Sequence, residues 1–387
     1  MAKLLRMNDI NLKIILLFLF WKILIILVLF FSINYIPLAF KDRFLGGGPI
    51  NFQLFPSLFS WANFDGEHYL SISIFGYKNL EQAFFPVYPF LISIFAKPFT
   101  LNGISNLISH TIVGLIISNI SFLLALIYLF KLLIIDYSKK IAFITLFLIV
   151  TFPTSFFFGA LYNESLFLLL IILSFLYARK EKWYLAIFFG IVASATRTFG
   201  ILLFPALLFE AYQQKMKPSK IIWIFLVPLG LILYMVYQYF TVGDPLAFYH
   251  LQTIVGNQHQ QGIILLPQIY FRYIKILLTI NGFEPIYQTV ILEFLVGIVF
   301  FLLPLYGYYK KVRVSYILYA LTGFLLPTIQ GSFSSLPRYV LILFPTFLIL
   351  ALGINQINKF LKLVLLFIFT SLLILESALF FRVYWVA

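Results

Sequence analysis

Long apolar stretches follow one another along almost the whole chain, and short polar segments separate them. The 387 residues are 63% hydrophobic and 10% charged, whereas soluble domains are about 45–50% apolar and about 25% charged. Because a spanning helix needs about 20 mostly apolar residues, this length has room for about eleven spans and little more. The sequence therefore predicts an all-α polytopic membrane protein that forms one domain over residues 1–387.

The basic residues predict how the helices cross the membrane, because loops rich in Lys and Arg stay in the cytoplasm. Short basic clusters lie between the apolar stretches instead of forming one stripe, so the net charge of +14 indicates topology and not nucleic-acid binding. All the clusters can face the cytoplasm if two spans, Ile14–Ile33 and Thr111–Ile135, precede the first of them. The clusters are Lys139-Lys140, Arg179-Lys180 with Lys182, Lys215 with Lys217 and Lys220, Lys310-Lys311 with Arg313, and Lys359 with Lys362.

This topology leaves two long outer loops, the first over residues 37–110 and the fourth over residues 242–284. Each contains a stretch that is expected to lie in the membrane interface as a helix: Ala83–Thr100, which carries three prolines, and Ile263–Ile280, which is amphipathic. The remaining spans are predicted over Ile141–Phe158, Ser165–Ala178, Trp183–Ala195, Phe199–Tyr212, Ile221–Thr241, Pro285–Tyr309, Tyr316–Gln330, Arg338–Gly353 and Phe360–Phe381.

Acidic residues and histidines gather on the predicted outer side, although acids contribute little to topology. Several middle spans are shorter than a bilayer requires, which places Asn163, Glu164 and Arg197 at membrane depth. Charged groups at that depth must face protein or a water-filled cavity. An internal cavity that opens outward is therefore expected.

The first outer loop carries Asp65, Glu67 and His68 within four residues, between aromatic side chains. Such a group suits a general base near the interface, although a solvated loop in an aromatic belt has a similar composition. The chain has no cysteine, which excludes a thiol nucleophile and a disulfide framework. The three residues could also form a metal site, although their spacing matches no standard metal-ligand motif.

This loop resembles the first luminal loop of the PIG-V family of mannosyltransferases, which reads approximately W-D-x-x-H/Y-Y, then G-Y, then A-F-F-P-x-Y-P. Phe64 stands where the family has tryptophan. The matching residues are Asp65, His68, Tyr69, Gly76, Tyr77, Ala83, Phe84, Phe85, Pro86, Tyr88 and Pro89. Further family-like pieces follow in order at 162–167, 196–200, 243–248 and 337–339.

The family is similar to the wider GT-C glycosyltransferases, so the resemblance implies a GT-C-type bundle. It also implies inverting transfer of a sugar, mannose in the family, from a polyprenyl- or dolichyl-phosphate carrier at the non-cytoplasmic face, with no cofactor and no bound metal. Asp65 is the expected base, with Glu67 and His68 as alternates. Arg197 and Arg338 are expected to bind the leaving phosphate, or else they are arginines that reach the interface.

Other residues are candidates for substrate contacts, and several have a second interpretation. Glu164 either orients a sugar hydroxyl or pairs with Arg197, and Asp244 either meets the substrate or begins a turn before Pro245. The complete set of predicted substrate contacts is Glu67, His68, Tyr69, Tyr88, Asn163, Glu164, Arg197, Asp244, His250, Gln252 and Arg338.

The acceptor stays open between a lipid-linked glycan, a cell-envelope glycan and a protein. The membrane is the plasma membrane in a prokaryote or the endoplasmic reticulum in a eukaryote. A transporter or flippase of lipid-linked sugars would also place ionisable residues inside a helical bundle. Such proteins usually show internal repeats and midplane sites, whereas the acids and histidines of this chain gather on the predicted outer side. A non-catalytic subunit would lack a base, and Asp65 argues against it.

Overall fold

The structure, a computed structural model, describes residues 2–39, 53–78, 80–99, 103–251, 264–280 and 284–386. Within these ranges the chain forms helices and no strands. The helices of ten or more residues are α1 (Ala2–Tyr35), α2 (Asp65–Phe75), α3 (Val87–Ala96), α4 (Ile104–Leu133), α5 (Lys139–Thr151), α6 (Glu164–Arg179), α7 (Trp183–Ser194), α8 (Leu203–Gln213), α9 (Leu229–Val242), α10 (Leu266–Thr279), α11 (Pro285–Tyr309), α12 (Val314–Thr328), α13 (Phe344–Gln356) and α14 (Lys359–Phe381).

Five stretches in the described ranges are long and apolar enough to cross a membrane, and exposed apolar side chains such as Phe240 and Phe367 cover their outer faces. The stretches are Ile10–Tyr35, Ile104–Leu133, Pro218–Val242, Pro285–Tyr309 and Lys359–Phe381. A sixth is the pair Leu336–Ile342 and Phe344–Gln356, which is bent by 89°. The predicted all-helical class is confirmed. The count of eleven spans is not confirmed, because helices α5 to α8 and α12 have only 11 to 16 residues.

Some predicted span boundaries are wrong. The helix predicted over Ile141–Phe158 ends at Thr151, because Pro153 cannot continue it, and a 3-10 turn, Ser155–Gly159, follows. The span predicted over Arg338–Gly353 is the bent pair described above. Helix α4 begins at Ile104 and not at Thr111, so it extends into the segment predicted as the first outer loop.

Both expected interfacial stretches contain a helix. Helix α3 lies inside the predicted Ala83–Thr100 stretch, after Pro86, and it runs into a short 3-10 turn. Helix α10 lies inside the predicted Ile263–Ile280 stretch and is two-faced, since Ile269 and Tyr273 are buried while Leu278 is exposed. Helix α2, which carries the predicted base, had no counterpart in the sequence prediction.

Helix α6 forms the centre of the bundle, where it packs against α4 and α7 and buries nearly every side chain. Its last residue, Arg179, belongs to a basic cluster, and Glu164 is its first residue. At the Arg179 end, Glu210 of α8 accepts hydrogen bonds from Arg313 at 2.7 Å and lies 3.3 Å from Arg179. We call Arg179, Glu210 and Arg313 the Glu210 cluster. At 1.5 Å per residue, the two ends of α6 are roughly 22 Å apart.

Candidate active site

The predicted base, Asp65, is the first residue of α2, directly after the sharp backbone turn at Phe64, where φ is 57°. The turn is fixed by hydrogen bonds to distant parts of the chain. The Tyr162 hydroxyl donates to the carbonyl oxygen of Asn63 at 2.7 Å, and the Asn63 amide donates to the carbonyl oxygen of Phe380 at 2.8 Å. These contacts place Asp65 against the segment that leads into α6.

Glu164 lies at the start of α6 with a fully buried side chain, and it joins two arginines. Its Oε1 atom accepts hydrogen bonds from Arg197 Nη1 at 2.7 Å and from Arg338 Nε at 2.5 Å. The neighbouring Asn163 also accepts from Arg197 Nη1, at 3.1 Å. The predicted pairing of Glu164 with Arg197 is therefore present. The second oxygen, Oε2, is buried and has no hydrogen-bond partner within the described ranges.

Arg338 connects this buried carboxylate to the predicted base. Its Nη1 atom lies 2.6 Å from Asp65 Oδ2, while its Nε atom bonds to Glu164. We call Asp65, Asn163, Glu164, Arg197 and Arg338 the Glu164 cluster. The Asp65 side chain is 30% exposed, whereas those of Arg338 and Glu164 are 8% and 0% exposed. Asp65 is thus the most accessible of these ionised groups.

Aromatic rings cover the faces of both guanidinium groups. Arg338 lies 4.6 Å from the ring centre of Tyr162, and Arg197 lies 5.4 Å from that of Tyr339. Such contacts stabilise a cation and fix its plane. Each guanidinium has five N–H donors at its edge, and the contacts above engage two nitrogens of Arg338 and one of Arg197. Further donors can therefore serve an anion in the plane of each group.

His68 and Tyr69 follow Asp65 on α2 and pack on the aromatic part of the motif. The His68 ring stacks on Phe84 with the ring centres 4.5 Å apart, and the buried Tyr69 ring meets Tyr88 edge to face at 5.3 Å. Burial raises the pKa of Tyr69 well above its usual value, so this hydroxyl stays neutral. Tyr88 is fully buried, and its hydroxyl donates to the carbonyl oxygen of Gly114 in α4 at 3.0 Å. Within the described residues, no hydrogen bond joins that hydroxyl to the Glu164 cluster.

Asp244 and His250 form an exposed pair after α9, with 2.7 Å between Asp244 Oδ2 and His250 Nδ1. Asp244 also accepts from the backbone nitrogen of Leu246 at 2.9 Å, so the turn predicted as its alternative role is present. The hydrogen bond from His250, helped by that of Leu246, lowers the pKa of Asp244. Glu67 lies partly exposed in the first turn of α2, and Gln252 lies outside the described residues.

Hydrogen bonds connect the Asp244 segment to the segment between α2 and α3. Gln238 of α9 accepts from the backbone nitrogen of Phe248 at 3.1 Å and donates to the carbonyl oxygen of Gln82 at 2.9 Å. The Tyr234 hydroxyl donates to the carbonyl oxygen of Phe84 at 2.9 Å. The Asp244 pair is therefore anchored to the same segment on which His68 stacks.

Three residues next to this site had no predicted role. Tyr339 covers Arg197, and its position directly after Arg338 was an available signal. The other two are Tyr273 and Glu293. The Tyr273 hydroxyl donates a hydrogen bond to Glu293 at 2.6 Å, next to the segment that precedes Arg338. An acidic residue inside a long apolar span is a functional candidate by default, and Glu293 is such a residue. Within the described ranges, no group of three or more His, Asp and Glu residues is arranged to hold a metal ion.

The family model for Mannosyltransferase (PIG-V) matches residues 12–241, which is more than half of the chain. The chain belongs to the PIG-V mannosyltransferase family. In this PIG-V family member, Asp65, Glu164 and Arg197 lie inside the matched region, and Arg338 lies beyond it. Family membership and the long apolar helices together make the chain an integral membrane protein.

A crystal structure of the Archaeoglobus fulgidus oligosaccharyltransferase, tethered with an acceptor peptide containing the NVT sequon via a disulfide bond, is similar to this PIG-V family member. The TM-score is 0.41 and the sequence identity is 13%. The alignment covers 94% of this chain and 55% of the oligosaccharyltransferase, so the chain spans about half of that enzyme's length. A search of curated proteins finds no match.

Proposed function

We propose that the chain is an inverting membrane glycosyltransferase, which moves a hexose from a polyprenyl-phosphate carrier to an acceptor at the non-cytoplasmic face. Mannose is the sugar that the family indicates. The observation that carries the proposal is the Glu164 cluster. In it, a partly exposed carboxylate lies in contact with one of two arginines that a fully buried carboxylate fixes.

Asp65 is the proposed base. The acceptor oxygen forms a bond to the anomeric carbon, the bond from that carbon to the carrier phosphate breaks, and the acceptor proton passes to the Asp65 carboxylate. One face of the sugar is attacked while the phosphate leaves from the other, which inverts the anomeric configuration. Arg338 holds Oδ2 of Asp65 at 2.6 Å, and the partial exposure of the side chain lets an acceptor hydroxyl approach it.

The two arginines are proposed to hold the carrier phosphate. The departing group is the carrier phosphate, a monoester that needs no added proton to leave. Its negative charge is stabilised by cationic hydrogen-bond donors that are held in place in a site with little water. Arg197 and Arg338 are nearly buried, are held by Glu164, and lie within contact of aromatic rings. Their orientation is therefore set before substrate arrives, so binding requires little reorganisation.

The position of the cluster along the helices supports a non-cytoplasmic site. Glu164 begins α6, whereas Arg179-Lys180 end it, and Arg197 follows α7, whereas Lys182 precedes it. The basic ends are expected to face the cytoplasm. The Glu164 cluster then opens to the opposite side, where a lipid-linked sugar and an acceptor glycan or protein meet. Membership of a mannosyltransferase family does not favour the alternative of a transporter or flippase.

A donor screen tests this proposal. Purified chain in liposomes is offered radiolabelled polyprenyl-phosphate-mannose, polyprenyl-phosphate-glucose or GDP-mannose, each with a panel of lipid-linked glycan and peptide acceptors. We expect transfer from a polyprenyl-phosphate sugar and none from GDP-mannose, and NMR of the product should show an inverted anomeric centre. Transfer from GDP-mannose alone, or retention of configuration, would contradict the proposal.

A further inference from the structure

Glu293 lies inside the span formed by α11, and its side chain is almost fully buried. Each of its two oxygens accepts one hydrogen bond. Oε1 accepts from the backbone nitrogen of Ser335 at 3.0 Å, and Oε2 accepts from the hydroxyl of Tyr273 at 2.6 Å. A carboxylate at membrane depth requires such partners, but these two partners come from two other parts of the chain.

The first partner, Ser335, begins the backbone turn that carries Arg338. Ser335 has a φ of 59°, in the left-handed region that a residue with a side chain rarely adopts. Such a conformation persists only where the surrounding structure holds it. The next residues form the short helix Leu336–Tyr339, and the backbone nitrogen of Arg338 donates to the carbonyl oxygen of Ser335 at 3.0 Å. A shift at Ser335 therefore moves the whole turn that carries Arg338.

The second partner, Tyr273, belongs to α10 in the second outer segment. This helix is docked on the chain just before Ser335. Arg272 Nη1 donates to the carbonyl oxygen of Gly331 at 3.0 Å, and the Tyr273 ring lies 5.0 Å from that of Phe333. Helix α10 therefore constrains the backbone at Ser335 in two ways. Tyr273 bonds to Glu293, which bonds to Ser335, and Arg272 and Tyr273 contact the residues just before Ser335.

We propose that Glu293 and Tyr273 are positioning residues, which fix the backbone at Ser335 and so aim Arg338 at Asp65. Helix α10 then acts on the site without touching the reacting atoms. This inference rests on the proposed role of Arg338 in the transfer reaction. The Tyr273 hydroxyl can also accept a hydrogen bond, so a glutamine at 293 would keep both contacts, whereas Glu293→Leu removes both acceptors and leaves the Ser335 N–H and the Tyr273 hydroxyl without this partner.

The chain offers a matched control on the same helix. Tyr270 lies three residues before Tyr273, contacts the Phe333 ring at 5.0 Å as well, and donates its hydroxyl to the carbonyl oxygen of Gly297 at 2.8 Å. We expect Glu293→Leu and Tyr273→Phe each to lower kcat for sugar transfer roughly 10- to 100-fold, since a misplaced group close to the reaction has an effect of that size. Tyr270→Phe should keep the kcat of the unaltered chain.

A double-mutant cycle separates positioning from general support of the fold. If Glu293 acts through Arg338, adding Glu293→Leu to an Arg338→Lys chain causes no further loss of kcat. Full multiplication of the two losses would overturn the inference, as would equal losses in Tyr270→Phe and Tyr273→Phe.

A measurement without substrate separates this inference from the proposed function. Hydrogen–deuterium exchange of the peptide that covers 332–339 should become faster in Glu293→Leu and stay unchanged in Tyr270→Phe. Unchanged exchange in Glu293→Leu would overturn the inference whatever the donor. Absence of transfer by the unaltered chain, with the exchange result as expected, would instead refute the proposed function.

Discussion

Replacing Glu164 with glutamine removes the charge that holds both arginines of the site. Its Oε1 atom alone accepts from Arg197 and Arg338, at 2.7 and 2.5 Å, and the side chain has no exposed surface. Hydrogen bonds to charged groups contribute about 1.5–3 kcal/mol each, and breaking a buried ion pair from one side costs about 3–5 kcal/mol. We therefore expect Glu164→Gln to lower the free energy of unfolding by about 3–5 kcal/mol.

The Glu210 cluster supplies a control of the same kind at the other end of α6. Glu210 also has no exposed side-chain surface, and it also lies between two arginines, Arg179 and Arg313. Glu210→Gln should therefore destabilise the protein by a similar amount. Each variant removes one buried charge, at opposite ends of α6, so their comparison separates stability from a role in transfer.

Both variants are compared in detergent micelles for unfolding and in liposomes for sugar transfer, at a temperature where both stay folded. We expect kcat/KM to fall by roughly 100-fold in Glu164→Gln, because Arg197 and Arg338 lose their alignment, and to stay near that of the unaltered chain in Glu210→Gln. Equal losses of transfer in both variants would refute the reasoning, since activity would then follow stability alone.

Two further predictions concern a glycine and an exposed pair. A Cβ atom at Gly200 would lie 2.4 Å from the backbone nitrogen of Ser194. Gly200→Ala should therefore lower the free energy of unfolding by about 1–3 kcal/mol or more. An unchanged thermal midpoint of unfolding would contradict this prediction. The contacts of Asp244 hold its pKa in the folded chain below the 3.8 of the unfolded chain. They therefore stabilise the folded chain at pH values above the unfolded-state pKa, and this stabilisation is lost as the pH falls through the folded-state pKa. In a ¹³C NMR titration, His250→Ala should move the pKa of Asp244 up toward 3.8, and the same pKa in both chains would count against the contact.

Asp65, Arg197 and Arg338 could be chosen as candidates from the sequence because each stands in a short motif with a fixed neighbour pattern. Their contacts could not be predicted equally well. The pairing of Glu164 with Arg197 joins the ends of consecutive helices, and topology alone places those ends together. The contact of Asp65 with Arg338 joins residues at opposite ends of the chain, and no local pattern encodes it.

The predicted helix boundaries were wrong where an apolar sequence continues beyond the end of a helix. Residues 152–158 contain four phenylalanines, so hydropathy extended α5 through Pro153, although the proline itself signals the end. Short apolar helices such as α7 and α8 lie in the bundle without the length of a full span, which is why composition gave a span count that the structure does not confirm. Glu293 was readable as an acid within an apolar stretch, but its partners come from distant segments.

The most direct test of the proposed enzyme is the transfer rate of Asp65→Ala beside that of Asp136→Ala. Each aspartate pairs with an arginine, Asp65 with Arg338 and Asp136 with Arg179 at the other end of α6. With labelled polyprenyl-phosphate-mannose in liposomes, Asp65→Ala should show no transfer above background, while Asp136→Ala transfers mannose at close to the normal rate. Full transfer by a folded Asp65→Ala chain would contradict the assignment of Asp65 as the base.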